Sequence, residues 1–184
     1  MTHLAKMRIK AEHYLKNAGL NCQQLQVLEK LGYFVKPASL HHHLANKGGL
    51  MEHSINVTDW MLRLRSGMGC FPTGARNIYR IGMLHDLCKC LCYDWDNETK
   101  AFVWTQPTVT GHGTASVIMA ATELGIALES DEALAIAWHM GAFGLGKDDL
   151  ARYDAALKAY PREILLTHTA DMLASHVTES EVKG

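Results

Sequence analysis

The stretch Ile81–Cys90 reads IGMLHDLCKC, with a His directly before an Asp inside an apolar run and Lys89 four residues after His85. A carboxylate taken out of water is costly unless something pairs with it, so Asp86 requires a partner from elsewhere in the chain. The surrounding spacing is helical. Ile78, Ile81, His85 and Cys88 fall on one face of a helix expected from about Ala75 to Lys89.

The same period runs through most of the 184 residues. Helices are expected at His3–Asn17, closed by Gly19, at Gln23–Leu31, closed by Gly32, and at Leu50–Arg65. Others follow at His112–Leu124, at Asp131–His139 with Ser130 as N-cap, at Asp149–Ala159, and at Pro161–His176 with Pro161 in the first turn. The segment CYDWDNETKAFVWTQPTV breaks the pattern with aromatic and β-branched residues around a polar DNET turn, and reads as a small irregular or hairpin excursion around residues 92–108. No linker, repeat or low-complexity tract is visible. The expectation is one all-α domain over residues 1–184, its N-terminal helices (1–37) packing on a motif-bearing core (38–176).

Composition narrows the function. Net charge is −1 with no basic stripe, which disfavours long nucleic acid as a partner. No stretch approaches a membrane span, and the first twenty residues lack the apolar core of a signal peptide. The five cysteines include Cys88, Cys90 and Cys92 but no CxxC pair, which fits reduced thiols in a cytoplasm.

Histidine is the outlier, at eleven residues. His53 interrupts the stripe of Leu50, Val57, Met61 and Leu64. His85 interrupts that of Ile78, Ile81 and Cys88. His112 opens one helix, His139 closes the face of Ala135 and Ile136, and Asp171 lies within ILLTHTADMLAS. A lone His on an apolar face is usually a hydrogen-bonded core residue. Five such intrusions plus Asp86 would incur several desolvation penalties at once, and one metal site satisfies them together. Imidazoles and carboxylates suit borderline divalent ions, with Fe or Mn favoured and Ni, Zn or Mg compatible. Six candidate ligands exceed the need of one open catalytic ion, so two ions are expected.

GGLMEHSINV, LHDLCK, GHG, AWHMG and ADMLAS, in that order, resemble the successive motifs of the HD-domain metal-dependent phosphohydrolase superfamily over roughly Ala38–His176. The resemblance implies an all-α HD-domain helical bundle with the site between helices. It implies that His53, His85, Asp86 and Asp171 hold a first metal. His112 and His139 match the extra ligands of dinuclear members, with Asp86 bridging both ions. Lys89, one turn after His85 on the same expected face, is placed to hold a phosphate oxygen. His42 and His43, ahead of the double glycine, are candidate substrate contacts. His168 is a candidate for orienting Asp171, and Trp95 and Trp104 for stacking on a base, although packing explains each as well.

The implied activity is cleavage of a phosphate ester by a metal-activated water, with catalysis through Asp86 and Lys89. The expected substrate is small and phosphorylated, most plausibly a nucleotide. The alternatives on the same ligands are a dinuclear iron oxygenase, an exoribonuclease and a non-catalytic nucleotide-binding module.

Overall fold

The computed structural model describes residues 1–68, 74–105 and 111–180. Helix α1 (His3–Asn17) is capped by the Thr2 hydroxyl, and α2 (Cys22–Leu31) opens on a reciprocal capping box between Asn21 and Gln24 and closes on Gly32 in the left-handed region. A loop over residues 33–48 then folds back on the start of α3 (Gly49–Met68), with Leu50 N–H donating to the Lys36 carbonyl at 3.0 Å. The double glycine serves this contact: Gly48 has φ +84°, and a Cβ on Gly49 would overlap the Leu44 carbonyl.

Helix α4 (Ala75–Leu84) ends earlier than its apolar stripe predicts. From Leu84 onward the backbone tightens into three-residue turns, with Leu87, Lys89, Cys90 and Leu91 N–H donating to the carbonyls of Leu84, Asp86, Leu87 and Cys88. A short α5 (Lys89–Cys92) leads into a hairpin of β1 (Tyr93–Asp96) and β2 (Ala101–Trp104), antiparallel, with Tyr93 opposite Trp104. This is the expected excursion. Its last residues, 106–108, lie outside the described residues.

The second half runs through α6 (His112–Thr122), α7 (Ser130–Ala137), α8 (Lys147–Ala159) and α9 (Pro161–Leu173). Ser130 is not the N-cap of α7. Glu129 takes that place in a capping box with Glu132, whose carboxylate accepts from Glu129 N–H at 3.0 Å. At its C-terminal end α9 widens into a π-helical turn (Ala174–Thr178), with Glu179 N–H reaching the Ala174 carbonyl five residues back.

One core joins the two halves. Ala11 and Leu15 of α1, Leu28 of α2, Ile55 and Met61 of α3, and Ile81 of α4 belong to a single buried cluster with Ile136 and Ala170. A buried ion pair adds to it: Arg80 on α4 donates to Glu132 on α7 at 3.0 Å and to the Ala18 carbonyl at 3.2 Å. Among the described residues no helix is long and apolar enough to cross a membrane.

The α3–α4 crossing sets the site, because it carries His53 and His85. Gly82 allows the close approach: a Cβ there would overlap Thr58 Oγ1 and come within 3.0 Å of Thr58 Cα. Overpacking costs about 1–3 kcal/mol, against roughly 1 kcal/mol of helix propensity regained. Gly82→Ala is therefore expected to lower stability in urea denaturation by up to about 2 kcal/mol; raised stability, as an uncrowded helix glycine would give, would show that the helices do not meet there.

Candidate metal centre

Four elements bring polar groups to one buried spot. His53 comes from the first half of α3, His85 and Asp86 from the tight turn after α4, His139 from the end of α7, and Asp171 from the last turn of α9. His53, His85, Asp86 and His139 are each no more than 3 % exposed.

The hydrogen bonds fix which ring nitrogens face inward. His85 Nδ1–H donates to the Gly82 carbonyl at 2.9 Å, and His139 Nδ1–H to the Ile136 carbonyl at 2.7 Å. A carbonyl only accepts, so each ring carries its proton on Nδ1 and turns an Nε2 lone pair inward. His53 Nδ1–H donates to Glu179 at 3.0 Å. Its Nε2 lies 3.2 Å from His85 Nε2, 3.2 Å from Asp171 Oδ1 and 3.5 Å from Asp86 Oδ2. The two oxygens of Asp86 face different groups. Oδ2 is 3.4 Å from His85 Nε2, while Oδ1 is 3.7 Å from His139 Nε2.

This donor set suits a divalent cation. Three imidazole nitrogens and two carboxylates converge where only a cation relieves their mutual repulsion. Without a metal, two substitutes provide the charge. Lys89 Nζ is 2.6 Å from Asp86 Oδ2. Burial opposes charge on both, yet the ammonium holds the Asp86 carboxyl well below its usual range and is itself raised in turn. Burial likewise opposes charge on His53, but its bonds to Asp171 and Glu179 push it up to about 10. A proton on Nε2 then meets Asp171, whose own value is lowered by that bond despite burial. Burial, and then the neighbouring His85, push His139 down.

The placement of Lys89 corrects the expectation from helical spacing. Because the chain leaves the α-helix at Leu84, Lys89 does not project beside His85 from a continuous helix. The i→i+3 turn swings it onto Asp86, and its side chain is only 13 % exposed.

The remaining candidates fall around this centre. His112, at the start of α6, turns Nδ1 to Cys88 Sγ at 3.6 Å and meets Trp104 edge-on. The Cys88 contact raises its pKa, and it senses the charges of Asp86 and Lys89. Cys88, Cys92 and His112 together form a further group of donors. His43 stacks 4.9 Å from the His53 ring, with burial first and then His53 pushing it down to about 4. His42 is exposed, its backbone N–H on Ser39 Oγ at 2.9 Å. His168 does not reach Asp171; it donates to the His139 carbonyl at 2.8 Å. Trp95 packs on Phe102, and both line a separate cavity of about 380 Å³ with Lys36 and Lys47.

Two buried acids escaped sequence reasoning. Glu132 reads as a helix-start acid, yet it is the buried partner of Arg80. Glu179 sits in a polar tail without apolar periodicity, beyond the π-helical turn that follows α9, and no spacing in the sequence marks it.

A comparison with curated proteins found no match, and neither did one with solved structures. A family model for the HD domain matches residues 50–174, spanning His53, the His85–Asp86 pair, His112, His139 and Asp171. With about two thirds of its length matched and the family's His-Asp pair at the centre of a buried donor cluster, the chain belongs to the HD domain family.

Proposed function

We propose that this chain is a metal-dependent phosphohydrolase that cleaves a phosphate ester of a small molecule, with nucleotides the favoured class. The observation that carries the reading is Asp86: a carboxylate 3 % exposed, ringed by histidine nitrogens and touched by a lysine. A structural core has no use for such a concentration of charge, whereas hydrolysis at phosphorus does. The family, one of metal-dependent hydrolases, supports the same reading.

His53, His85, Asp86 and Asp171 would hold one ion. His139, His112 and Asp86 would hold another, since Asp86 Oδ1 and Oδ2 face different histidines. The bound metal supplies a Lewis acid that polarises a phosphoryl oxygen and acidifies water near neutral pH. The protein's own groups do the rest. Glu179 and the Gly82 and Ile136 carbonyls keep the Nδ1 protons in place, so that Nε2 remains the inward atom on each ring. Lys89, held beside the centre by Asp86, would meet a phosphate oxygen as negative charge grows there. Water adds to phosphorus and gives up a proton to solvent as the bond to the leaving oxygen breaks. The electron pair goes to that oxygen, which takes up a proton from solvent.

A panel of nucleotides and simple phosphoesters, assayed with Mn²⁺, Fe²⁺ or Zn²⁺ restored to stripped protein, tests the reading. Metal-dependent phosphate release that disappears in Asp86→Asn is expected; no release from any member, with metal bound, would defeat it.

Lys89 gives a second test. In metal-free protein, Lys89→Met strands a buried carboxylate, and breaking such a pair costs about 3–5 kcal/mol. Metal should recover most of that stability. Phosphate release by the loaded variant should fall about 30- to 1000-fold, the loss of roughly 2–4 kcal/mol of transition-state contact. Wild-type turnover in Lys89→Met would move phosphate binding to another residue.

A further inference from the structure

The family match begins at residue 50 and ends at residue 174, yet the first histidine of the centre is held by groups from beyond both ends. Glu179 is 3 % exposed. Its Oε1 and Oε2 lie 3.0 and 3.2 Å from His53 Nδ1. The Asn56 side-chain amide donates to Oε1 at 3.1 Å. His43 Nε2 stands 3.9 Å from Oε2, and that buried nitrogen has no hydrogen-bond partner among the described residues. A carboxylate withdrawn from water this completely is destabilising unless its partners use it. Of these partners, His53 is bonded directly and His43 stacks on the His53 ring.

The local backbone explains how it arrives. An α-helix continued from α9 would advance 100° per residue and carry residue 179 to another angle. The π-helical turn at Ala174–Thr178 absorbs one extra residue, and the Ala174 carbonyl accepts from Glu179 N–H instead of Thr178 N–H. Such turns have poorer hydrogen-bond geometry than an α-helix, so the contacts they permit must compensate. Trp60 Nε1–H donating to Thr178 Oγ1 at 2.8 Å anchors the turn against α3 from the outside. Glu179 enters from the inside.

We propose that Glu179 is a positioning residue for the metal centre: its carboxylate holds the Nδ1 proton of His53, fixes Nε2 as the ligand atom, and makes that nitrogen a stronger donor to a divalent cation. This rests on the reading of the cluster as a metal site. The role is distinct from ligation, because Glu179 meets the nitrogen that faces away from Asp86 and Asp171. Carboxylates behind metal-bound histidines act in this way, and removing one weakens metal binding about 10- to 100-fold.

The experiment compares wild type, Glu179→Gln and Thr178→Val by calorimetric titration of stripped protein with Zn²⁺. It is joined by NMR of the histidine ring protons in the Zn²⁺-loaded state. Glu179→Gln keeps shape and an acceptor oxygen but removes the charge, so it should fold while binding Zn²⁺ about 10-fold or more weakly. Its His53 Nδ1–H resonance should move upfield as the charge-assisted bond is lost. Thr178→Val removes the neighbouring anchor of the same turn and should leave both readouts at wild-type values. Wild-type affinity with an unmoved resonance in Glu179→Gln would overturn the proposal. So would an equal affinity loss in Thr178→Val, which would reduce Glu179 to part of a merely structural turn. If wild type itself bound no Zn²⁺, the metal reading would fail first and the proposal with it.

Discussion

Everything at the centre of this molecule follows from the burial of the Asp86 carboxylate. Removing a carboxylate from water is unfavourable by several kcal/mol unless positive charge or strong donors surround it. The chain meets that requirement with Lys89 at 2.6 Å and with histidines from three different elements. The arrangement leaves the inward ring nitrogens without protons of their own, apart from the one that His53 takes up. Lys89 and the proton favoured on His53 supply positive charge at the same spot where histidine nitrogens and carboxylates suit a divalent ion.

The helices serve this point. The Gly82–Thr58 contact sets how closely α3 and α4 approach, the Arg80–Glu132 pair ties α7 to α4, and His168 holds the His139 carbonyl from α9. The first is close packing between helices and the other two are polar connections between them. Precision in ligand placement therefore comes from interactions that lie outside the ligand set.

Much of this was legible in the sequence. His53, His85, His139 and Asp171 interrupt apolar stripes, and an interruption is visible because the stripe around it is regular. α1 falls where its periodicity places it, and the DNET turn marks the hairpin. What escaped depends on departures from regularity. The stripe of Ile78, Ile81, His85 and Cys88 continues at helical spacing across a tighter turn, so periodicity places Lys89 beside His85 when geometry puts it on Asp86. Glu129 caps α7 although Ser130 is the better intrinsic cap, because Glu132 completes a reciprocal box with it. Glu179 depends on a π-turn, for which the sequence carries no periodic signal.

The central claim is that the cluster exchanges a proton for a metal ion. Burial opposes charge on His53, but its bonds to Asp171 and Glu179 push it up to about 10, which favours a proton there at neutral pH. A ligating Nε2 must give that proton up. The stability this charge contributes is complete below the ordinary histidine value of about 6.5 and fades as pH rises toward 10. Metal binding should strengthen over the same span. The direct measurement is calorimetric titration of stripped protein with Mn²⁺ near pH 7.5, repeated in buffers of different ionisation enthalpy. The account predicts saturable binding accompanied by release of about one proton, with both lost in His53→Ala. Absence of binding, or binding with no proton released and unaffected by His53→Ala, would contradict it.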